Sequence, residues 1–187
     1  MTPTGMDPSG FADPIAAKTQ WTPLAPGGSS FATHTLVVQD GSRVELKPST
    51  NLKLFGLAFL LAGLGCTLGG LLASQWFMIL FGIPFAAVGA YVLWPRTILF
   101  DGGARVFTGP KGQVPFSSIH AVQLVKELVT DSENPDFWSY ELNLVLGTGE
   151  RINVIDHGNL SRVRADARTI SALLGCKLWD AADGHGR

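Results

Sequence analysis

Two long apolar segments dominate the pattern of hydrophobic and polar positions along the chain. They cover Leu54–Ala73 and Trp76–Trp94, and only two residues separate them. Neither segment contains an Asp, Glu, Lys or Arg residue. About twenty apolar residues, at 1.5 Å of rise each, cover the roughly 30 Å hydrocarbon core of a bilayer. The pattern therefore predicts a hairpin of two transmembrane helices within residues 52–95.

Small residues recur at every fourth position of both apolar segments. In lipid, such ridges let two helices approach closely, although glycine is frequent in membrane helices in any case. Gly65-x-x-x-Gly69 offers a second face, through which two copies could form a homodimer. We expect the helices of one hairpin to pack through Ala58, Ala62, Cys66 and Gly70 in the first and Gly82, Ala86 and Ala90 in the second.

Basic residues flank the hairpin at both of its chain ends. Arg43, Lys47 and Lys53 precede it, Arg96 and Arg105 follow it, and the connection between the segments carries no charge. Positively charged flanks stay on the cytoplasmic side of a membrane. We therefore expect both termini in the cytoplasm.

The residues before the hairpin divide into two parts. Residues 1–32 hold five of the eleven prolines and few large apolar residues, which predicts a flexible tail. Residues 33–48 contain two β-prone stretches around Asp40-Gly41, a pair typical of a tight β-turn. Because both ends of the helical hairpin meet the same membrane face, we expect the 33–48 β-hairpin to pack against, or to extend and so join, the sheet that follows the helices.

Short β-prone stretches fill the chain after the hairpin. The clearest alternation lies at Ser139–Leu146, where polar Ser139, Glu141 and Asn143 alternate with apolar residues. An amphipathic helix is predicted over residues 160–174, between the N-cap Asn159 and the terminating Gly175. These patterns predict an α+β membrane protein with a compact domain over residues 96–180, a small antiparallel β-sandwich or barrel capped by this helix, and a flexible tail over residues 181–187.

This layout resembles a group of uncharacterised bacterial two-helix membrane proteins with a cytoplasmic pleckstrin-homology-like (YcxB-like) domain. The resemblance covers about Leu52–Asp180. Locally, it rests on the stretches SYELNLVL (Ser139–Leu146) and RINVIDHG (Arg151–Gly158) and on ADA and LLG in the last helix. It implies a pleckstrin-homology-like fold and a place in the bacterial inner membrane, and it implies no catalytic residues.

Charge and motifs exclude several function classes. Fourteen basic residues against fifteen acidic ones do not make a nucleic-acid-binding surface. The sequence has no clustered metal ligands, no glycine-rich phosphate loop and no serine nucleophile motif, so we expect no catalytic, metal or cofactor site. Asp156-His157 is the most suggestive pair, but at a strand-to-helix junction these side chains are more often engaged with free backbone groups.

Two sets of residues are candidates for an interaction surface. Exposed arginines of the last helix, together with one strand residue, could contact a partner or lipid headgroups, although a solvated helix face looks the same. The loop over residues 131–136 precedes two aromatic residues that either anchor it to the core or bind a partner. The candidates are Arg151, Arg162, Arg164, Arg168, Phe137 and Trp138.

Three functional hypotheses follow. The first is a non-enzymatic inner-membrane protein whose cytoplasmic domain binds a protein or peptide of unknown identity. The second is a protective protein that neutralises a toxin or a membrane-directed effector. The third, an enzyme acting on lipid or envelope precursors, lacks the charged residues that such chemistry needs at the membrane boundary.

Overall fold

The computed structural model of the chain describes residues 8–94, 96–130 and 135–183. It divides into two compact units, one formed by Pro48–Arg96 and the other by Met1–Lys47 together with Thr97–Arg187. The elements are α1 (Pro14–Lys18), β1 (His34–Gln39), β2 (Arg43–Pro48), α2 (Thr50–Leu72), α3 (Trp76–Leu93), β3 (Leu99–Asp101), β4 (Val106–Gly109), β5 (Gly112–Pro115), β6 (Ile119–Val129), β7 (Phe137–Leu146), β8 (Arg151–His157), α4 (Leu160–Leu174) and β9 (Lys177–Asp180).

The smaller unit is the predicted helical hairpin. Its two helices, α2 and α3, are each long and apolar enough to cross a membrane, and few of their residues are buried within the hairpin. The first helix starts four residues earlier than expected because the Ser49 hydroxyl accepts the N–H of Leu52 at 3.2 Å. This N-cap satisfies a backbone donor that the first helical turn leaves free.

Glycines spaced by seven residues form the contact between α2 and α3. Gly56, Gly63 and Gly70 are buried on α2, and Gly82 and Gly89 are buried on α3. A Cβ added at Gly63 would lie 2.7 Å from the Gly82 carbonyl oxygen, so the two backbones touch there. Residues repeated every seven positions stay on one side of a helix and face the partner helix along a left-handed crossing. We call this row of glycines the seam.

The four-residue ridges expected from the sequence coincide with this seam only in part. Gly70 and Gly82 are buried, and the backbone of Ala86 contacts Gly63. The remaining predicted packing residues lie on exposed sides of their helices, because a four-residue repeat drifts off a seam that a seven-residue repeat follows. These residues are Ala58, Ala62, Cys66 and Ala90.

The larger unit contains two β-sheets with a shared core. Among the described residues, the strand orders are β1-β2-β3-β4-β5 and β8-β7-β6-β9. The prediction that the 33–48 hairpin joins the later strands is confirmed, since β2 pairs antiparallel with β3 through Val44 and Phe100. The chain therefore leaves this unit after β2 and returns to it at β3, with the two apolar helices in between.

One helix covers the core between the sheets. Helix α4 has the bounds expected from its cap residues: Asn159 accepts the Arg162 N–H at 3.0 Å, and Gly175 adopts a left-handed φ of 69°. Its stripe of Val163, Ala167 and Ile170 is fully buried against both sheets. Both sheets are antiparallel except where β9, which the sequence did not predict, pairs parallel with β6.

The two predicted tails differ from the structure where it describes them. Residues 10–32 pack against the outer face of the four-stranded sheet instead of forming a flexible tail. At the other end, Ala181 and Ala182 are buried and Asp183 forms an ion pair with Arg164. The rest of that predicted tail, residues 184–187, lies outside the described residues, as do residues 1–7.

Candidate interaction site

The outer face of the four-stranded sheet is polar and yet buried. Leu142 and Leu144 of β7 point into the core, so the alternation of a strand turns Glu141 and Asn143 to the opposite face. There they lie at 3% and 0% exposure. We call this surface the polar face, formed by Gln123, Ser139, Glu141, Asn143 and Arg151.

Residues 20–33, which we call the strap, cover the polar face. At its start, the side chain of Gln123 donates to the Gln20 carbonyl oxygen at 3.0 Å. The Arg151 guanidinium donates to the Thr22 carbonyl oxygen at 2.7 Å. In both contacts the sheet contributes a side chain and the strap contributes its main chain.

Glu141 makes the central contact between the sheet and the strap. Its carboxylate accepts the N–H of Leu24 at 2.8 and 2.9 Å and the N–H of Ala25 at 2.7 Å. Asn143 donates to the same carboxylate at 2.6 Å. Hydrogen bonds to an ionised acceptor are about twice as strong as neutral ones, so these contacts hold the strap at its middle.

The second half of the strap is also held through its main chain. Glu127 accepts the N–H of Gly27 at 3.2 Å, and the Ser139 hydroxyl accepts the N–H of Ser29 at 2.8 Å. Between them lies Gly28, with φ +37°, where an added Cβ would overlap the Ser139 side chain. Only glycine fits this close approach without a shift of the backbone.

An aromatic and ionic cluster anchors the chain where the strap begins. Phe11 stacks on Trp21 with ring centroids 4.9 Å apart, and both rings pack on the buried Trp179 of β9. The Asp13 side chain is 4% exposed and pairs with His120 at 3.0 Å and Lys177 at 3.1 Å. Burial alone would raise the pKa of Asp13, but hydrogen bonds from His120, the Ile15 N–H and Lys177 lower this pKa to about 2.

The polar side chains also bond to one another beneath the strap. The Gln123 side-chain oxygen accepts from Asn143 at 3.3 Å and from Arg151 at 3.2 Å. Burial lowers the pKa of Arg151, an effect that the nearby Glu141 charge opposes. The side-chain oxygen of Asn143 has no hydrogen-bond partner among the described residues. The network is therefore continuous but retains one unused acceptor.

Asp156 and His157 sit at the edge of this network and do not form an acid–base pair. The Nδ1 atom of His157 accepts the Asn159 N–H at 2.8 Å, which is the structural role expected at this junction. Burial, followed by the Arg162 charge, lowers the pKa of His157. Asp156 is the cross-strand neighbour of Glu141, and burial together with that charge raises the pKa of Asp156 to about 6.

The six interaction residues expected from the sequence are not brought together. Arg151 belongs to the polar face, whereas the three arginines of α4 lie on a helix that packs on the opposite, apolar face of the sheet. Of these, Arg162 and Arg168 are exposed, and Arg164 is bound to Asp180 and Asp183.

The aromatic pair after the 131–136 loop lies at the far end of β7. Phe137 is half-buried, and Trp138 is 47% exposed beside Leu128, with the Lys126 ammonium 5.2 Å from its ring centroid. Residues 131–134 of the acidic loop lie outside the described residues. Trp138 is therefore exposed at the strand end, while Phe137 is partly packed.

The polar face was missed at the sequence level. Its residues alternate with core residues as in any sheet that has one solvated side, and the composition of residues 1–32 predicts a flexible tail instead of a strap. The available signal was the pair Phe11 and Trp21, two large aromatic side chains in a segment otherwise poor in apolar residues.

No protein-family model matches the chain, and no curated protein matches it. Within residues 8–94, 96–130 and 135–183, no three His, Cys, Asp or Glu side chains are grouped so as to hold a metal ion. Cys66 and Cys176 are free cysteines.

Proposed function

We propose that this chain is a non-enzymatic integral protein of the bacterial inner membrane whose cytoplasmic domain binds an extended segment of another protein. The observation that carries the proposal is the polar face. Its side chains hold an extended segment through that segment's main chain, by way of the buried Glu141 and Gln123 and the half-buried Arg151. Such a surface is suited to peptide recognition, because main-chain bonding supplies affinity for many sequences.

Membrane insertion is supported by the hairpin itself. Both helices are apolar on nearly every side, and Trp76, Tyr91 and Trp94 are exposed near the ends of α3, where amphipathic rings favour a membrane interface. The Arg96 guanidinium lies 4.2 Å from the Tyr91 ring centroid, a pairing compatible with a headgroup environment. The basic flanks favour cytoplasmic chain ends.

A pleckstrin-homology-like domain is supported by the order of its elements. Successive antiparallel strands form two sheets, and helix α4 then covers the core between them. This arrangement agrees with the resemblance seen in the sequence. The additional parallel strand β9 and the strap are features that the resemblance did not lead us to expect.

Cysteine labelling tests the membrane topology. In a background without Cys66 and Cys176, single cysteines replace Ser74 in the helical connection and Asp136 in the β-rich domain. A membrane-impermeant maleimide should label Ser74→Cys in intact cells and Asp136→Cys only after lysis. Labelling of Asp136→Cys in intact cells would contradict the proposed orientation.

Site-specific crosslinking in native membranes tests partner binding. A photoreactive amino acid is placed at Thr148, an exposed position beside the strap, and in a matched control at Arg168, an exposed position on α4. We expect a discrete protein adduct from position 148 that position 168 does not give. The same adduct pattern at both positions, or none above background, would refute partner binding at the polar face.

A further inference from the structure

We infer that the strap is an internal ligand of the polar face, and that the partner is a protein segment of matching chemistry that displaces it. That segment is extended, presents two consecutive main-chain N–H groups to Glu141, and carries glycine at the position of Gly28. The inference rests on the proposed function and adds to it the recognition rule and the self-inhibited state.

The contacts of the strap define the recognition rule. Two carbonyl oxygens and four N–H groups of its main chain, those of Gln20, Thr22, Leu24, Ala25, Gly27 and Ser29, are bonded to side chains of the sheet. By contrast, the side chains of Thr22, Leu24 and Pro26 point to solvent, with Leu24 39% exposed. A foreign segment can therefore reproduce these bonds with a different sequence.

Glycine is a sequence requirement that the backbone geometry of the strap imposes. At Gly28 an added Cβ would overlap the Ser139 side chain, and the positive φ of +37° is itself unfavourable for other residues. The neighbouring Gly27 has no atom within 4 Å of an added Cβ, but its positive φ of +101° favours glycine there as well. A competing segment must therefore carry glycine at the position of Gly28, so that its backbone can lie against Ser139.

The strap is held in a way that permits exchange. From Thr22 to Ser29 it is the main chain that bonds to side chains of the sheet, so a competing main chain can make the same bonds. Its apolar anchoring is confined to its beginning, where Trp21 and the preceding Phe11 pack on Trp179. A crevice of about 550 Å³, lined in part by Gln20, Leu24, Thr148 and Arg151, also opens along the strap edge.

A peptide-exchange experiment with the full chain in detergent tests the inference. The probe is a fluorescent peptide of residues 20–33 (QWTPLAPGGSSFAT), and binding is followed by anisotropy. In wild type the tethered strap competes at a high effective concentration, so binding is weak. In Gly28→Val the strap cannot seat, and the peptide should bind on the order of tenfold more tightly.

Two controls separate recognition from loss of folding. A peptide with valine at its position 28 should not bind the Gly28→Val chain, and adding Glu141→Ala to that chain should abolish binding of the native peptide. Asp13→Asn, which weakens the anchor but leaves the strap sequence intact, should bind the peptide more tightly than wild type. Circular dichroism confirms that each variant keeps its secondary structure.

Several results would overturn the inference. The first is that wild type and Gly28→Val bind the native peptide equally tightly. The second is that Gly28→Val binds the valine peptide as tightly as the native peptide. The third is that neither Gly28→Val nor Asp13→Asn binds the native peptide although both are folded. Co-purification of two differently tagged wild-type copies that Gly28→Val abolishes would assign the face to the strap of a second copy and refute a foreign partner. If the peptide exchanges as expected but no partner is crosslinked in native membranes, only the proposed function is refuted.

Discussion

The Glu141 carboxylate of β7 accepts the main-chain N–H of Leu24, a residue 117 positions earlier in the chain, at 2.8 Å. The same carboxylate accepts the Ala25 N–H and the Asn143 side chain. At 3% exposure, Glu141 is a buried charge that the strap and the sheet satisfy together. This relationship joins the start of the chain to a strand near its end.

Replacing Glu141 should therefore loosen the strap selectively. Glu141→Ala leaves two strap N–H groups and the Asn143 amide without their acceptor, and we expect a loss of about 2–3 kcal/mol in the free energy of unfolding. Hydrogen exchange should accelerate in residues 20–33 and remain unchanged in α4. Glu150→Gln, at the β7–β8 turn, is the matched control. Unchanged exchange in the strap would contradict the role given to Glu141.

The glycine seam predicts which substitutions disrupt the helical hairpin. Gly63→Ala puts a methyl group against the backbone of α3, near the Gly82 carbonyl oxygen. We expect this overpacking to cost about 1–3 kcal/mol, measured by unfolding in mixed micelles. Gly65→Ala, which has open space around it, is the control and should have little effect. Equal effects of the two substitutions would place the seam elsewhere.

Acid should release the anchor of the strap. The pKa of Asp13 in the folded chain is about 2, below its ordinary value of 3.8, so ionised Asp13 stabilises the fold above about pH 4. This contribution is lost as the pH falls from about 4 to about 2. Hydrogen exchange in residues 11–33 should increase over that window. Asp13→Asn should show faster exchange at neutral pH and a weaker dependence on acid, whereas exposed Asp136→Asn should behave as wild type.

Asp156 has the opposite linkage to pH. Its pKa in the folded chain is about 6, so the folded state binds a proton between about pH 4 and pH 6 that the unfolded state has released. Stability therefore falls as the pH rises through this window. Asp156→Asn can still accept from Asn153, and it should stabilise the fold on the order of 1–3 kcal/mol at pH 7.5. Thermal unfolding at pH 4 should show little difference, and a destabilised variant at pH 7.5 would contradict this account.

Local signals were sufficient to predict many elements of the fold. The Asp40-Gly41 pair, the Asn159 cap and the Gly175 terminator act within a few residues, and the structure has a turn, a helix start and a helix end at those positions. The pairing of β2 with β3 followed from a further physical constraint, since an antiparallel helical hairpin returns the chain to the face it left.

The features missed from the sequence depend on distant contacts. Ser139, Glu141 and Asn143 alternate in the same way whether their face is solvated or covered by another segment. The proline and glycine content of residues 20–33 is typical of disorder, but it also suits an extended strap whose main chain makes the contacts. In the hairpin, four-residue and seven-residue repeats of small side chains coexist, and only the packed helices distinguish them.

The insertion of the helices between β2 and β3 imposes an order on biosynthesis. The strap leaves the ribosome before β1 and β2, these strands before both apolar helices, and the helices before the strands that carry Gln123, Glu141 and Arg151. The first sheet cannot be completed until the hairpin has been synthesised, because Val44 pairs with Phe100 beyond it. During this interval the nascent strap exists without the polar face that later receives it.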